Sequence, residues 1–365
     1  MTTIHGRVVR PGAVVPGFVE VDGPTILAVE EQAGEHEGDD IIVPGFVDLH
    51  CHGGGGHTFT RGDVADAAAA AAFHLAHGTT TMLASLVSSP YELMRDATAA
   101  YRPLVDSGAI AGLHFEGPYL SAVRCGAQNP EFLRDPSLDE LATLTETGTV
   151  RMVTIAPELP GALEAIRFLA ERGIIAAIGH TDAAYEQVLA GVQAGATVGT
   201  HVFNGMPPMH HREPGPVVAL LDSPGIVCEL VADGVHLHDG TLRFAAHATG
   251  PDRAALITDA MDAAGMPDGD YELGGQPVTV AGRVARLTRN GSIAGSTLTM
   301  DAAFRRAVRA GLGLPTAAAM AATTPARVLG LSDETGAIEA GLRADLVVLT
   351  PDLQVKRVMR AGAWV

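Results

Sequence analysis

The chain has 365 residues, 47% of them hydrophobic, and a net charge of -18, so it can bury a large core but is a poor fit to nucleic acid or an anionic membrane. No apolar run reaches transmembrane length and no charged-then-apolar leader opens the chain. Cys51, Cys125 and Cys228 have no clustered spacing, which excludes a disulfide framework or a Cys-type zinc site and fits a reducing cytoplasm.

Residues 1–46 read as short strands joined by turns, without a helix. Apolar runs ending near His52, Val87, Gly117, Pro157, His180, Asn204, Asp233 and Asp259 then predict eight strands. Segments between them, such as "DVADAAAAAAFHLAHG" and "GALEAIRFLAERG", have helix-forming composition and end on glycine. Eight strand–helix units whose strands are apolar on both faces predict an α/β fold of the (β/α)8 TIM-barrel type rather than an open doubly wound sheet. Residues 268–290 read as a β-hairpin insertion ahead of the last barrel helix. Residues 332–365 again read as strands. Together with 1–46 they are expected to form a small β-sandwich domain, leaving 47–331 to the barrel.

Polar residues mark the ends of the predicted strands, where a barrel carries its chemistry. In "PGFVDLHCHGGGG" side chains alternate, so Asp48, His50 and His52 share one face and Cys51 points away. Glycines 53–56 are expected to leave open space beyond the imidazoles. "IAGLHFEGPYL" supplies Glu116, with His114 on the same face. "IIAAIGHTDA" supplies His180, "ATVGTHVFNGM" His201 and "RAALITDAMDAAG" Asp259. One polar strand end is commonplace; five carrying metal-ligand residue types are not. His50, His52, Glu116, His180, His201 and Asp259 offer four imidazoles and two carboxylates, donors that suit zinc, iron, manganese or cobalt better than calcium or magnesium. "HHREPG" places Arg212 on the loop after the His201 strand, a local cation for an anionic substrate in an acidic chain.

These motifs resemble the amidohydrolase superfamily. Within it, "EGPYL…GAQNP", "HVFNGMPPMHHREPG", "VADGVHLH" and "SIAGSTLTM" are similar to the N-acetylglucosamine-6-phosphate deacetylases, nearly end to end. Lys356, the only lysine, lies far along the chain from any barrel strand. A carbamylated-lysine bridge between two metals is therefore not available, and Glu116 is the candidate bridge. This disfavours dihydropyrimidinase-like relatives.

The resemblance implies hydrolysis of an N-acetyl group by metal-activated water, releasing acetate and glucosamine 6-phosphate. It assigns Glu116, His180 and His201 to a tight metal site and Asp259 to the acid/base. Single-metal members lack the second histidine of H-x-H. This chain has both, so His50 and His52 are expected to hold a second ion. One or two divalent ions per chain follow, zinc first, with iron, manganese, cobalt, cadmium or nickel as alternatives. Asn204 and Gly205, and Ala127 with Gln128, are implied substrate contacts. Arg212 and His236 correspond to the phosphate pair, and Ile293, Ala294 and Gly295 to a loop closing on substrate. Either His236 or the metal stabilises the oxyanion. The resemblance also implies a homodimer with Arg212 reaching across the interface. Gln128 stands where many relatives carry histidine, and Cys125 in the same loop is either a neutral small residue or a loop contact or redox-sensitive thiol. Two rivals are another amidohydrolase (a D-aminoacylase, isoaspartyl dipeptidase or iminohydrolase) and a catalytically silent barrel. Arg212 with "DGVHLH" speaks against the first, and Asp259 kept with all the ligands against the second.

Overall fold

Eight apolar runs pair side by side in chain order as one parallel sheet: Phe46–Asp48, Thr79–Val87, Gly112–Glu116, Val150–Ile155, Ile175–Ile178, Val198–Gly199, Val227–Val231 and Ala254–Ile257. The computed structural model describes residues 1–31 and 39–365; the part of the terminal strand region at 32–38 lies outside the described residues. Thr79–Val87 is buried along its whole length, as a strand covered on both faces must be. The sheet closes at its carboxyl end. Cys51 bridges Ala260 in parallel, and the Asp259 N–H donates to the His50 carbonyl at 2.9 Å. The fold is a TIM barrel with a small terminal β domain.

The covering helices follow from local pattern. In Ala162–Ala170 the buried residues are Ala162, Ala165, Ile166 and Leu169, the spacing that puts one stripe on the sheet. Val64–Ala76 starts where the Asp63 side chain accepts the Asp66 N–H, satisfying an N–H that the first turn leaves unpaired.

After the eighth strand the chain forms three antiparallel strands, Gly269–Leu273, Gln276–Ala281 and Val284–Leu287, one more than a hairpin. The reason is a second turn. Gly274 and Gly275 have φ of 56° and 80°, and Gly282 and Arg283 have 58° and 65°. Each pair makes the two-residue, left-handed turn that suits strand twist. Arg283 is not glycine, so the second turn carried no clear signature in the sequence.

The termini share one seven-stranded sheet in the order Ala363–Trp364, Val355–Arg360, Leu346–Leu349, Ile41–Pro44, Thr2–Arg10, Ala13–Asp22, Thr25–Glu31. It curls, because its last strand returns to the segment before the third: the Ile26 N–H donates to the Leu342 carbonyl at 2.9 Å. Ile4, Val8, Val19, Ile42, Leu346 and Met359 fill the enclosed core.

Candidate metal centre and substrate cavity

The site residues sit just past the strand ends. Glu116 ends the third strand, while His180, His201 and Asp259 each lie two residues beyond theirs. All three of these have left-handed backbone, with φ of 45°, 26° and 48°. Such geometry costs roughly 1–3 kcal/mol per residue away from glycine and clusters at functional sites. Here it turns each side chain inward as the chain leaves the sheet.

The donors form two groups, Glu116 with His180 and His201, and His50 with His52 and Asp259, each with ligating atoms within 4.8 Å of one another. Glu116 Oε1 lies 3.0 Å from His180 Nε2 and 2.9 Å from His201 Nε2. Its Oε2 lies 3.2 Å from His52 Nε2. One carboxylate thus faces both groups. Asp259 Oδ1 lies 3.3 Å from His52 Nε2 and 3.6 Å from His50 Nε2.

The other imidazole nitrogens show what the Nε2 atoms are for. His50 Nδ1 meets Glu229 Oε2 at 3.2 Å, His52 Nδ1 the Ser85 carbonyl at 3.1 Å and His180 Nδ1 the Arg124 carbonyl at 2.8 Å. Carbonyl and carboxylate oxygens accept, so each Nδ1 carries a proton, which leaves Nε2 to carry a second proton toward the carboxylates or to offer its lone pair to a cation. The Nε2 atoms of His50 and His52, and of His180 and His201, are each 3.1 Å apart. Convergent imidazole nitrogens beside carboxylates are the donor set of a divalent metal, so the residues present fit one. Burial works against a charge on Glu116, but His50 and His180 around it outweigh that and hold it well below the usual carboxylate range. Lys356 pairs with Asp40 at 2.7 Å, well away in the chain from every barrel strand end.

A cavity of about 250 Å³ opens over these groups. Gly126, Ala127, Gln128, Asn204, Gly205, His236, Ile293 and Gly295 line it. Two of the expected substrate contacts are elsewhere in this chain. Ala294 is fully buried against the inserted three-stranded sheet. Arg212 is exposed, with Nη1 2.7 Å from His211 Nε2, and among the described residues no arginine or lysine lines the cavity. His114 and Asp48 stay out of the donor groups: His114 bonds Ser85 and Thr154, and Asp48 accepts from Thr258. Cys125 is half-buried on the loop before Gln128, a free thiol whose carbonyl accepts the Gln128 N–H at 2.8 Å.

The glycine run does not provide the open space expected of it. None of Gly53 to Gly56 lines the cavity. Their N–H groups instead stitch the first strand to the segment after Asp259: Gly53 to the Ala260 carbonyl at 3.0 Å, Gly55 to Ala264 and Gly56 to Asp262 at 2.8 Å. A Cβ on Gly53 would lie 2.3 Å from the His57 carbonyl oxygen, and one on Gly54 2.6 Å from His74 Nε2. At Gly53 and Gly54 close packing, not ligand room, excludes side chains. Gly53→Ala is therefore expected to destabilise the fold by about 1–3 kcal/mol, the usual scale of overpacking; chemical denaturation against the parent checks it.

Other site residues were not identified from the sequence. Glu229 orients His50 from the middle of the apolar run Val227–Val231, and its second oxygen has no hydrogen-bond partner among the described residues. A lone carboxylate inside a buried strand was the available signal. Asp233 holds His236 Nδ1 at 2.7 Å. Leu273 and Ser292 reach the cavity from the inserted sheet and the loop after it.

Comparison with known proteins gives the family of the chain. The Amidohydrolase family model matches residues 41–365. The solved structure of N-acetyl-D-glucosamine-6-phosphate deacetylase from Mycobacterium smegmatis, an aspartate-to-alanine variant in complex with N-acetyl-D-glucosamine-6-phosphate, superposes with a TM-score of 0.96 at 44% identity, covering 99% of this chain and 98% of that one. N-acetylglucosamine-6-phosphate deacetylase from Lysinibacillus sphaericus is 36% identical over 334 residues, 88% of this chain and 84% of the relative. N-acetylgalactosamine-6-phosphate deacetylase from Escherichia coli O157:H7 is 36% identical over 357 residues, 96% of this chain and 93% of the relative. A barrel whose strand ends converge on two donor groups, matched by that model and by these relatives over most of their length, belongs to the amidohydrolase family.

Proposed function

We propose that this chain hydrolyses the N-acetyl group of N-acetylglucosamine 6-phosphate, giving glucosamine 6-phosphate and acetate. The observation that carries the reading is the pair of donor groups sharing Glu116 at the floor of the cavity. Glu116, His180 and His201 would hold one divalent cation, and His50, His52 and Asp259 a second. Nitrogen and oxygen donors without thiolate suit zinc first, then iron, manganese, cobalt, cadmium or nickel. A divalent cation bound there supplies Lewis acidity, lowering the pKa of water and polarising the amide carbonyl.

The chain's own residues handle the proton and the anions. Asp259 takes a proton from the attacking water and returns it to the leaving amine. His236 Nε2 lies 3.7 Å from Asp259 Oδ2. Burial opposes a charge on His236, but Asp233 and Asp259 outweigh it and raise its pKa. That favours N–H on both ring nitrogens, the form that donates to an oxyanion or a phosphate.

Among the described residues no arginine lines this cavity to meet a phosphate. Arg212, exposed on the loop after the His201 strand, would serve the cavity of a second copy. Exposed Val123, Met209 and Val235 on loops of the same barrel face support a homodimer there. Three free cysteines fit a cytoplasmic enzyme. Among the described residues no helix is long and apolar enough to cross a membrane.

Kinetics on N-acetylglucosamine with and without its 6-phosphate test the substrate reading. The phosphorylated sugar should be strongly preferred; equal efficiency on both would overturn it. Arg212→Ala should cost about 1.5–3 kcal/mol of transition-state binding to the phosphorylated sugar, the scale of one charged hydrogen bond, and little on the plain one. An equal loss on both would remove Arg212 from the phosphate site. The galactosamine deacetylase among the relatives makes the 4-epimer, N-acetylgalactosamine 6-phosphate, the second sugar to assay.

A further inference from the structure

We propose that Gln128 is a positioning residue for the metal centre, acting through Glu116 rather than on the sugar. The inference rests on the reading of Glu116 as the shared ligand. Gln128 is 3% exposed, and both ends of its amide are engaged. Its Oε1 accepts the Ser88 N–H at 2.7 Å, and its Nε2 donates to Glu116 Oε2 at 2.6 Å. The amide orientation is forced, because a backbone N–H only donates and a carboxylate only accepts. The Glu116 contact is charge-assisted and short, the stronger class of hydrogen bond.

A glutamate side chain left to itself rotates about its last torsions. Gln128 removes that freedom by pinning Oε2. With Oε2 held, Oε1 stays between His180 and His201 at 3.0 and 2.9 Å, and Oε2 stays facing His52 at 3.2 Å. The division of one carboxylate between two donor groups therefore depends on an amide that itself ligates nothing. The anchor is firm at its far end, since Ser88 follows the second barrel strand directly. An amide does not titrate, so the brace holds at any pH at which Glu116 is ionised.

Partners that orient a ligand usually matter to metal affinity by 10- to 100-fold. Gln128→Leu keeps the volume and removes both bonds; Gln128→Asn keeps the amide but is one methylene too short to span Ser88 and Glu116. Zinc titration against a chelator, with circular dichroism to confirm folding, should show weaker zinc binding by about 10- to 100-fold in Gln128→Leu and a smaller loss in Gln128→Asn. With zinc saturating, KM for N-acetylglucosamine 6-phosphate should stay near the parent's. Parent-like zinc affinity in a folded Gln128→Asn overturns the proposal; if KM rises at the same time, the residue serves the sugar instead. Glu116→Ala separates the two levels. If that variant binds zinc as the parent does, the reading of Glu116 as a ligand has failed, and Gln128 has no ligand to position.

Discussion

Replacing Asp259 with asparagine should lower turnover by about 100-fold or more, while substrate still binds. The carboxyl is 6% exposed, two residues past the last barrel strand, with left-handed backbone that aims it at the cavity. Burial pushes its pKa up, but the hydrogen bond from His52 and the charge of His50 prevail and bring it down to about 2. It is therefore an anion at neutral pH, ready to accept a proton from water. Asparagine keeps the shape and loses the proton shuttle. Steady-state kinetics with an independent binding measurement separate the two effects. Near-native turnover in the folded, metal-loaded variant would take the acid/base role from Asp259.

The second large effect concerns the metals. The parent should hold about two divalent ions per chain, one per donor group. His52→Gln should lose about one of them and keep partial activity, because Glu116, His180 and His201 remain complete. Glu116→Ala should lose most of both, since its two oxygens face the two groups. Metal analysis after dialysis reads all three proteins. About one ion in the parent, unchanged in His52→Gln, would leave the H-x-H pair an orienting or structural duty.

What could be read from the chain alone follows a physical divide. Strand ends were legible because apolar runs stop where polar ligands begin, as at Gly179-His180 and Thr200-His201. The barrel followed from the number of such stops. Partnerships between distant segments were not legible. Nothing in "VCELV" tells that Glu229 braces His50 from 179 positions away. Nothing in "GAQNP" tells that Gln128 spends its amide on Glu116. The four glycines after His52 suggested room for a ligand, whereas their backbone N–H groups fasten the first strand to the Asp259 loop. Arg212 is the opposite case: its chemistry was plain from the sequence, but in this chain it is exposed and does not line the cavity.

The most direct test is acetate release from N-acetylglucosamine 6-phosphate, measured on protein stripped with a chelator and again after zinc is restored. Stripped protein should be close to inactive. Restored protein should release acetate and free amine in equal amounts, with activity rising as the donor groups fill. Undiminished release after complete stripping, or none after reloading a folded chain, would contradict a metal-dependent deacetylase.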